Sequence, residues 1–371
     1  GHPDTICDLI CEKASIELSK EYLKKAGTIL HFNIDKALLV AGEAENKFGG
    51  GKILKPMKFV FGDRATFNYG DETINVNEIL INSAKKWFKE NFRFMDENYI
   101  QYQVEVKKGS MALVDIFERK KEKFLGANDT SACVGYYPLS SLEKTVIDIE
   151  NFLNSKKFKK KFPESGEDVK VMGIRENKKI KLLIANSFID KFIESEDRYF
   201  KVKEEILREC ESFLSKKYDN FNFEIVINAL DVRGRGEKGL YLTVTGTCAE
   251  SADCGQVGRG NKVNGVFPLL RPISSEAAAG KNPVSHIGKI YNYLSFEIAK
   301  EICENFDNLE EVYVWLVSKI GQEVNKPEII SVQLIGKNFD EKEIEEIVER
   351  KFDKLNIFIK ELIKGKIKGF I

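Results

Sequence analysis

The order in which helix-forming and strand-forming stretches recur restricts this chain more than any other feature. They return in three blocks of similar size, and hairpin-like links join the strands within a block. A doubly wound parallel sheet requires strict strand–helix alternation, so the pattern indicates the α+β class. In the first block a helix runs from Pro3 to a stop at Ala26-Gly27. Pro3 suits a first helical position, and Asp4 and Asp8 favour the positive end of the helix dipole. Strands are expected at 28–32, 37–41 and 57–61, a helix at 76–91, and strands at 99–106 and 111–117 around the turn Lys107-Lys108-Gly109-Ser110. The second block offers helices at 142–153 and 202–217 and strands at 169–172 and 179–188. Its run Lys156-Lys157-Phe158-Lys159-Lys160-Lys161 reads as a solvated loop, because a lone Phe158 is a poor stacking platform. A hairpin at 223–229 and 240–246 leads into a glycine- and asparagine-rich loop ending near Pro283. Helix 291–305, strands 311–318 and 328–334, and helix 342–354 complete the pattern. No sequence repeat accompanies it, and the expected domains are 1–118, 119–247 and 248–371.

Charge and composition narrow the function. Lysine plus arginine and aspartate plus glutamate both total 58, so the basic excess of a dedicated nucleic-acid binder is missing. Apolar residues at 43% can fill real cores, yet no apolar run approaches the roughly 20 residues of a membrane helix. Seven scattered cysteines form no CxxC pair and read as reduced thiols in a cytoplasm. Gly1-His2-Pro3-Asp4 looks like the interior of a motif, so further residues are expected ahead of it.

Several segments carry chemistry. Gly234-Arg235-Gly236-Glu237-Lys238-Gly239 matches GxGxxG, but a strand follows where a dinucleotide fingerprint needs a helix, so it reads as a hairpin turn. There is no P-loop. Two other stretches could build a phosphate site: Asp253 to Lys262, with Gly255, Gly258, Arg259 and Gly260, and Ala279 to Lys289, with Gly280, Lys281, His286 and Gly288. Glycines admit close backbone approach, while Arg and Lys supply a fork and a point charge. Flexible surface turns are the alternative. Asp4 and Asp8 share a helix face, which suits Mg²⁺ beside a phosphate chain or dipole complementation alone. His31 lies in a strand and reads as structural; His2 and His286 lie in loops beside candidate residues. Asn128-Asp129-Thr130 is a polar loop, and Asp168 and Lys170 stand two apart entering a strand, which predicts a common face.

Taken together, these segments resemble the S-adenosylmethionine synthetase (methionine adenosyltransferase) family, in particular its archaeal-type branch. The resemblance rests on Gly1-His2-Pro3-Asp4 with Cys7-Asp8, Phe48-Gly49-Gly50-Gly51, Gly109-Ser110-Met111 and Ala127-Asn128-Asp129-Thr130-Ser131. It continues through Gly166-Glu167-Asp168 with Lys170, Val257-Gly258-Arg259-Gly260-Asn261, Gly280-Lys281-Asn282-Pro283-Val284 and Gly288-Lys289-Ile290-Tyr291-Asn292. It implies three α+β domains of like topology about a pseudo-threefold axis and a homodimer with active sites between subunits. It also implies attack of the sulfur of L-methionine on C5′ of ATP, expelling a tripolyphosphate that is then cleaved to pyrophosphate and phosphate. A thioether needs no general base, so positioning and leaving-group charge dominate.

By resemblance His2 contacts the leaving group, and Lys170, Arg259 and Lys281 bind the phosphate chain, with Lys289, Gly109 and Ser110 also assigned to ATP. Asp168 holds the ribose, while Asp129, Asp253 and Glu43 serve methionine or the nucleoside. Asp4 binds Mg²⁺, Asp35 is the candidate for a second magnesium ligand, and K⁺ is an open monovalent requirement. No nucleic acid or membrane partner is expected. The chain departs from the branch at Lys107-Lys108 and Ala112, where the branch has glutamine and aspartate, and Asn282 follows Lys281 where a carboxylate is usual elsewhere. A non-catalytic or substrate-shifted paralogue is therefore the competing expectation.

Overall fold

The computed structural model describes residues 1–118 and 124–367. It uses one theme three times: a helix, an antiparallel strand pair, then another helix. In the first unit α1 (Pro3–Ala26) leads to β1 (Ala37–Val40), which pairs antiparallel with β2 (Met57–Phe61). Helix α2 (Val76–Asn91) follows, and β3 (Ile100–Val104) returns parallel to β2. A distant strand, Gly255–Gln256, pairs antiparallel with β1 and brings the glycine-rich loop against α1. After α3 (Met111–Glu118) the second unit contains α4 (Ser141–Asn154) and the short α5 (Lys156–Lys161). In it β4 (Ser165–Glu176) and β5 (Lys179–Ile189) pair antiparallel, and α6 (Glu196–Lys217) and β6 (Asn222–Ile227) follow. The third unit holds α7 (Ile287–Asn305), the antiparallel pair β7 (Leu309–Val317) and β8 (Ile329–Gly336), then α8 (Glu341–Asp353) and α9 (Leu355–Ile363). Strand Ala132–Tyr137 pairs with β7 and completes that third sheet.

The local chemistry explains the element ends. His2 caps α1, Pro3 opens it, and Gly27 ends it in the left-handed conformation, donating its N–H to the Leu23 carbonyl. Ile6, Ile10, Ala14 and Leu18 bury one face of α1 in the first core. A capping box of Ser140 and Glu143 starts α4. Three hydrophobic cores result, one per unit, and the first also takes in Ala249, Val257 and Ala279.

Some expectations change. Residues 111–117, expected as a strand, form α3; a short β-branched apolar run has no decisive period. The lysine run is helix α5 instead of a loop, and Phe158 and Lys159 are buried in it. The expected hairpin at 223–246 is absent: β6 and Leu242–Thr243 each run parallel to β5, at different stretches of it. The GxGxxG stretch turns at Gly234 and closes in a short 3-10 helix, Gly236–Gly239, and its Gly234, Arg235 and Gly236 N–H groups donate to the Glu196 carboxylate. Of the strand expected at 28–32, only Phe32–Asn33 forms, and α9 was not foreseen. All seven cysteines are free, and no helix among the described residues is long and apolar enough to cross a membrane.

Candidate active site

Two groups of charged side chains lie along α1. The first surrounds its N-terminus. His2 accepts the Asp4 N–H on Nδ1 at 3.3 Å, and its Nε2 lies 3.8 Å from Asp253 Oδ2. Asp4 Oδ1 accepts the Gln256 N–H at 2.9 Å, and Asp8 Oδ1 accepts the Gly258 N–H at 2.7 Å. Two carboxylates one turn apart therefore fasten the 255–260 loop to the helix. The approach is close, and a Cβ on Gly260 would displace the Asp8 carboxylate. Burial pushes the Asp8 carboxyl up to about 7, against the N–H bonds from the loop, and the nearby Asp4 adds to the rise.

Asp168 forms the wall beside this group. Its buried Oδ2 accepts the Cys248 N–H at 3.0 Å and the Tyr241 hydroxyl at 3.3 Å. The Gly1 carbonyl accepts the Thr247 hydroxyl at 2.9 Å, and Gly1 packs flat against the Glu167–Asp168 backbone, where a Cβ would collide. Pairing of β4 is irregular between Ser165 and Val169, where Asp168 is buried, and Lys170, back in register opposite Ala185, is exposed. Glu43 is exposed and ion-paired with Lys55, and the adjoining Gly42 donates its N–H to the Ala249 carbonyl. The side chains of Lys170 and Arg259 are exposed, with no hydrogen-bond or ion-pair partner among the described residues.

The second group lies one to two turns further along α1. Lys281 is buried, its Nζ 3.1 Å from Asp35 Oδ2 and 2.6 Å from Glu276 Oε2. Lys289 is buried too, 2.9 Å from Glu12 Oε1 and 3.0 Å from Ser15 Oγ. Burial lowers the Lys289 ammonium below its ordinary value, with Glu12 opposing. Asp35 Oδ1 takes hydrogen bonds from Lys36 and Asn33, both at 2.7 Å. Burial alone would raise the Asp35 carboxyl; the bond with Asp63 and the charges of Lys281 and Lys36 outweigh it and hold Asp35 below the usual range. Burial pushes the Asp63 partner up. Gly280 takes a positive φ of 75° against the Ile34 carbonyl and carries Lys281 into place. Asp129 is tied in through Asn128, whose N–H donates to the Ser285 carbonyl at 3.1 Å. Gly109 packs on the His31 ring, with Ser110 exposed beside it.

The sequence matches the family model described as S-adenosylmethionine synthetase (AdoMet synthetase) over residues 1–366. The chain belongs to the S-adenosylmethionine synthetase family. It is 43% identical to the S-adenosylmethionine synthase of Hyperthermus butylicus, covering 100% of this chain and 93% of that one. It is 44% identical to the probable S-adenosylmethionine synthase of Aquifex aeolicus, over 94% and 87% of the two chains. An unusual S-adenosylmethionine synthetase from Campylobacter jejuni shares the fold, with a TM-score of 0.65 at 15% identity, covering 100% of this chain and 92% of that one. The activity is methionine adenosyltransfer, with ATP and methionine as substrates.

For an S-adenosylmethionine synthetase the division of these groups matters. His2, Asp4, Asp168 and Asp253 gather with the Arg259 loop, while Lys281, Lys289 and Asp35 gather along the next turns of α1. The rise of about 1.5 Å per residue puts Asp4 and Glu12 about 12 Å apart along the axis. Sequence reasoning missed Glu12, Asp63, Glu276 and Tyr241. Only Glu12 left a signal, four residues beyond Asp8 on the same face.

Proposed function

We propose that the enzyme forms S-adenosylmethionine by a single in-line displacement at C5′ of ATP, and that tripolyphosphate is expelled and then cleaved to pyrophosphate and phosphate. The observation that carries this reading is the placement of cations at the ends of two glycine turns, Arg259 and Lys281, beside carboxylates. Such a set stabilises departing charge and leaves the thioether to attack unaided. Arg259 and Lys170 are free to meet phosphate oxygens directly, and His2 stands beside Asp253 at the helix start. Lys281 and Lys289 reach the phosphate chain by exchanging a carboxylate partner for it. Asp168 holds the ribose; Asp129, Asp253 and Glu43 orient methionine and nucleoside, and Gly109-Ser110 borders the nucleotide.

Asp4, a partly exposed hard oxygen donor beside the loop, fits a Mg²⁺ ligand. Mg²⁺ when bound offsets charge on the tripolyphosphate. Asp35 fits less well: both its oxygens already face ammonium groups, and we assign it to holding Lys281. K⁺ is retained as a monovalent activator, and the cytoplasm as the compartment. Homodimerisation belongs to the same reading, each site drawing the His2 group from one subunit and the Lys281 group from the other. The chain divides at 1–118, 119–247 and 248–371, with Ala132–Tyr137 lent to the third sheet. Omitting Mg²⁺, and separately K⁺, from an assay of ATP and methionine tests the ion assignments: activity absent without Mg²⁺ and lowered without K⁺ supports them, and full activity without either ion removes that ion's assignment.

A further inference from the structure

Lys159 is buried to 8% exposure inside a run of lysines that otherwise face solvent, and no step above uses it. Helix α5 directs it inward. Ser155 caps the helix, Phe158 packs in the second core, and the next side chain points beneath the start of β4. There Nζ donates to Ser165 Oγ at 3.0 Å and to the Gly166 carbonyl. Arg93, which lies just beyond α2 in the first unit, reaches the same stretch. Its Nε donates to Glu167 Oε1 at 2.6 Å, Nη1 to the Pro163 carbonyl at 3.2 Å and Nη2 to the Ser165 carbonyl.

The Ser165 and Gly166 carbonyls lie where β4 breaks register with β5, between Ser165 and Val169, and the Pro163 carbonyl lies just ahead of the strand. An irregular strand leaves buried carbonyls without ladder partners, and each must find a donor or carry a desolvation cost. Lys159 and Arg93 supply those donors from opposite units. The next residue is Asp168, whose carboxylate is held by the Cys248 N–H and the Tyr241 hydroxyl.

We propose that Lys159 and Arg93 are positioning residues that clamp residues 163–167, where β4 begins and loses register, and so set Asp168 for the nucleoside. The inference rests on the reading of Asp168 as the ribose ligand. Burial pushes the Lys159 ammonium down to about 7 despite Glu167, and Arg93 lowers it further. An ammonium so poorly solvated depends on its fixed acceptors and holds them in turn. The ribose is not where charge develops, so misplacing Asp168 weakens ATP binding more than the chemical step.

The test compares steady-state kinetics of Lys159→Met, Arg93→Gln, Arg93→Lys and Asp168→Asn. Lys159→Met is expected to raise KM for ATP roughly tenfold, the effect of losing a charged hydrogen bond, with KM for methionine within about twofold. Arg93→Gln, at a more exposed position, should move KM for ATP the same way if Lys159→Met does not fold, and Arg93→Lys should recover part of it. Lys159→Met combined with Asp168→Asn should exceed the stronger single variant by little, because both act through one carboxylate. If Asp168→Asn raises KM for ATP while Lys159→Met and Arg93→Gln lower only the thermal midpoint, the clamp is structural and the inference falls. If Asp168→Asn leaves KM for ATP unchanged, the ribose assignment itself falls.

Discussion

Lys281 and Asp35 form a buried ion pair, Nζ to Oδ2 3.1 Å, at the point where the third unit's loop meets the first unit. Glu276 takes the same ammonium at 2.6 Å. A buried charge is tolerated because it is paired, so each partner depends on the other. Lys281→Met is expected to lower turnover about 10²–10³-fold, as loss of a contact to developing charge does. It should also cost about 3–5 kcal/mol of stability by stranding the carboxylates. Adding Asp35→Asn should return part of the thermal midpoint and none of the turnover. Near wild-type turnover of Lys281→Met at saturating ATP would remove Lys281 from the phosphate site.

His286 caps α7 by accepting the Gly288 N–H on Nδ1. Burial, with Lys281 and Lys289 nearby, lowers its pKa from 6.5 to about 3. Between those values the unfolded chain binds the proton and the folded chain does not. The contribution to stability is therefore complete above 6.5 and is lost as pH falls towards 3. His286→Asn keeps a good cap and removes the titration. Its thermal midpoint should fall less than the wild type's between about pH 7 and about pH 4. Equal losses in the two proteins would show that His286 titrates normally.

Asp4 is one of two α1 carboxylates that bind the 255–260 loop, and ATP brings several negative charges towards it. At 4 Å and an effective dielectric near 20, each pair of like charges repels by about 4 kcal/mol. Asp4→Asn should raise the Mg²⁺ concentration for half-maximal activity and lower the maximal rate. A lowered rate with unchanged Mg²⁺ dependence would make Asp4 a fastening for the loop alone.

Shared sites predict complementation. His2→Ala and Lys281→Met, each inactive alone, should recover activity when unfolded together and refolded as a mixture, since a mixed dimer rebuilds one intact site. No recovery, with mixed dimers present by mass, would place both groups in one subunit's site.

Much of this was legible in the sequence where a pattern is local. The start and stop of α1, the span of α2 and the α+β class follow from caps, periodicity and link lengths. What failed depended on distant partners. Residues 223–246 looked like a hairpin because the strand they both join, β5, lies some forty residues earlier. Lys159 looked solvated because nothing near it in sequence reveals that β4 breaks register beneath it. The candidate residues themselves were visible as charged groups at glycine turns. Their division between two groups along α1 was not, since it is set by Gly280 meeting Ile34 and by Gly258 meeting Asp8.

The most direct measurement incubates the protein with ATP, L-methionine and Mg²⁺, identifying the sulfonium product by mass and the phosphate products by ³¹P spectroscopy. S-adenosylmethionine, pyrophosphate and phosphate are expected in equal amounts. Release of ADP without S-adenosylmethionine, or a sulfonium product only from another amino acid, would contradict it.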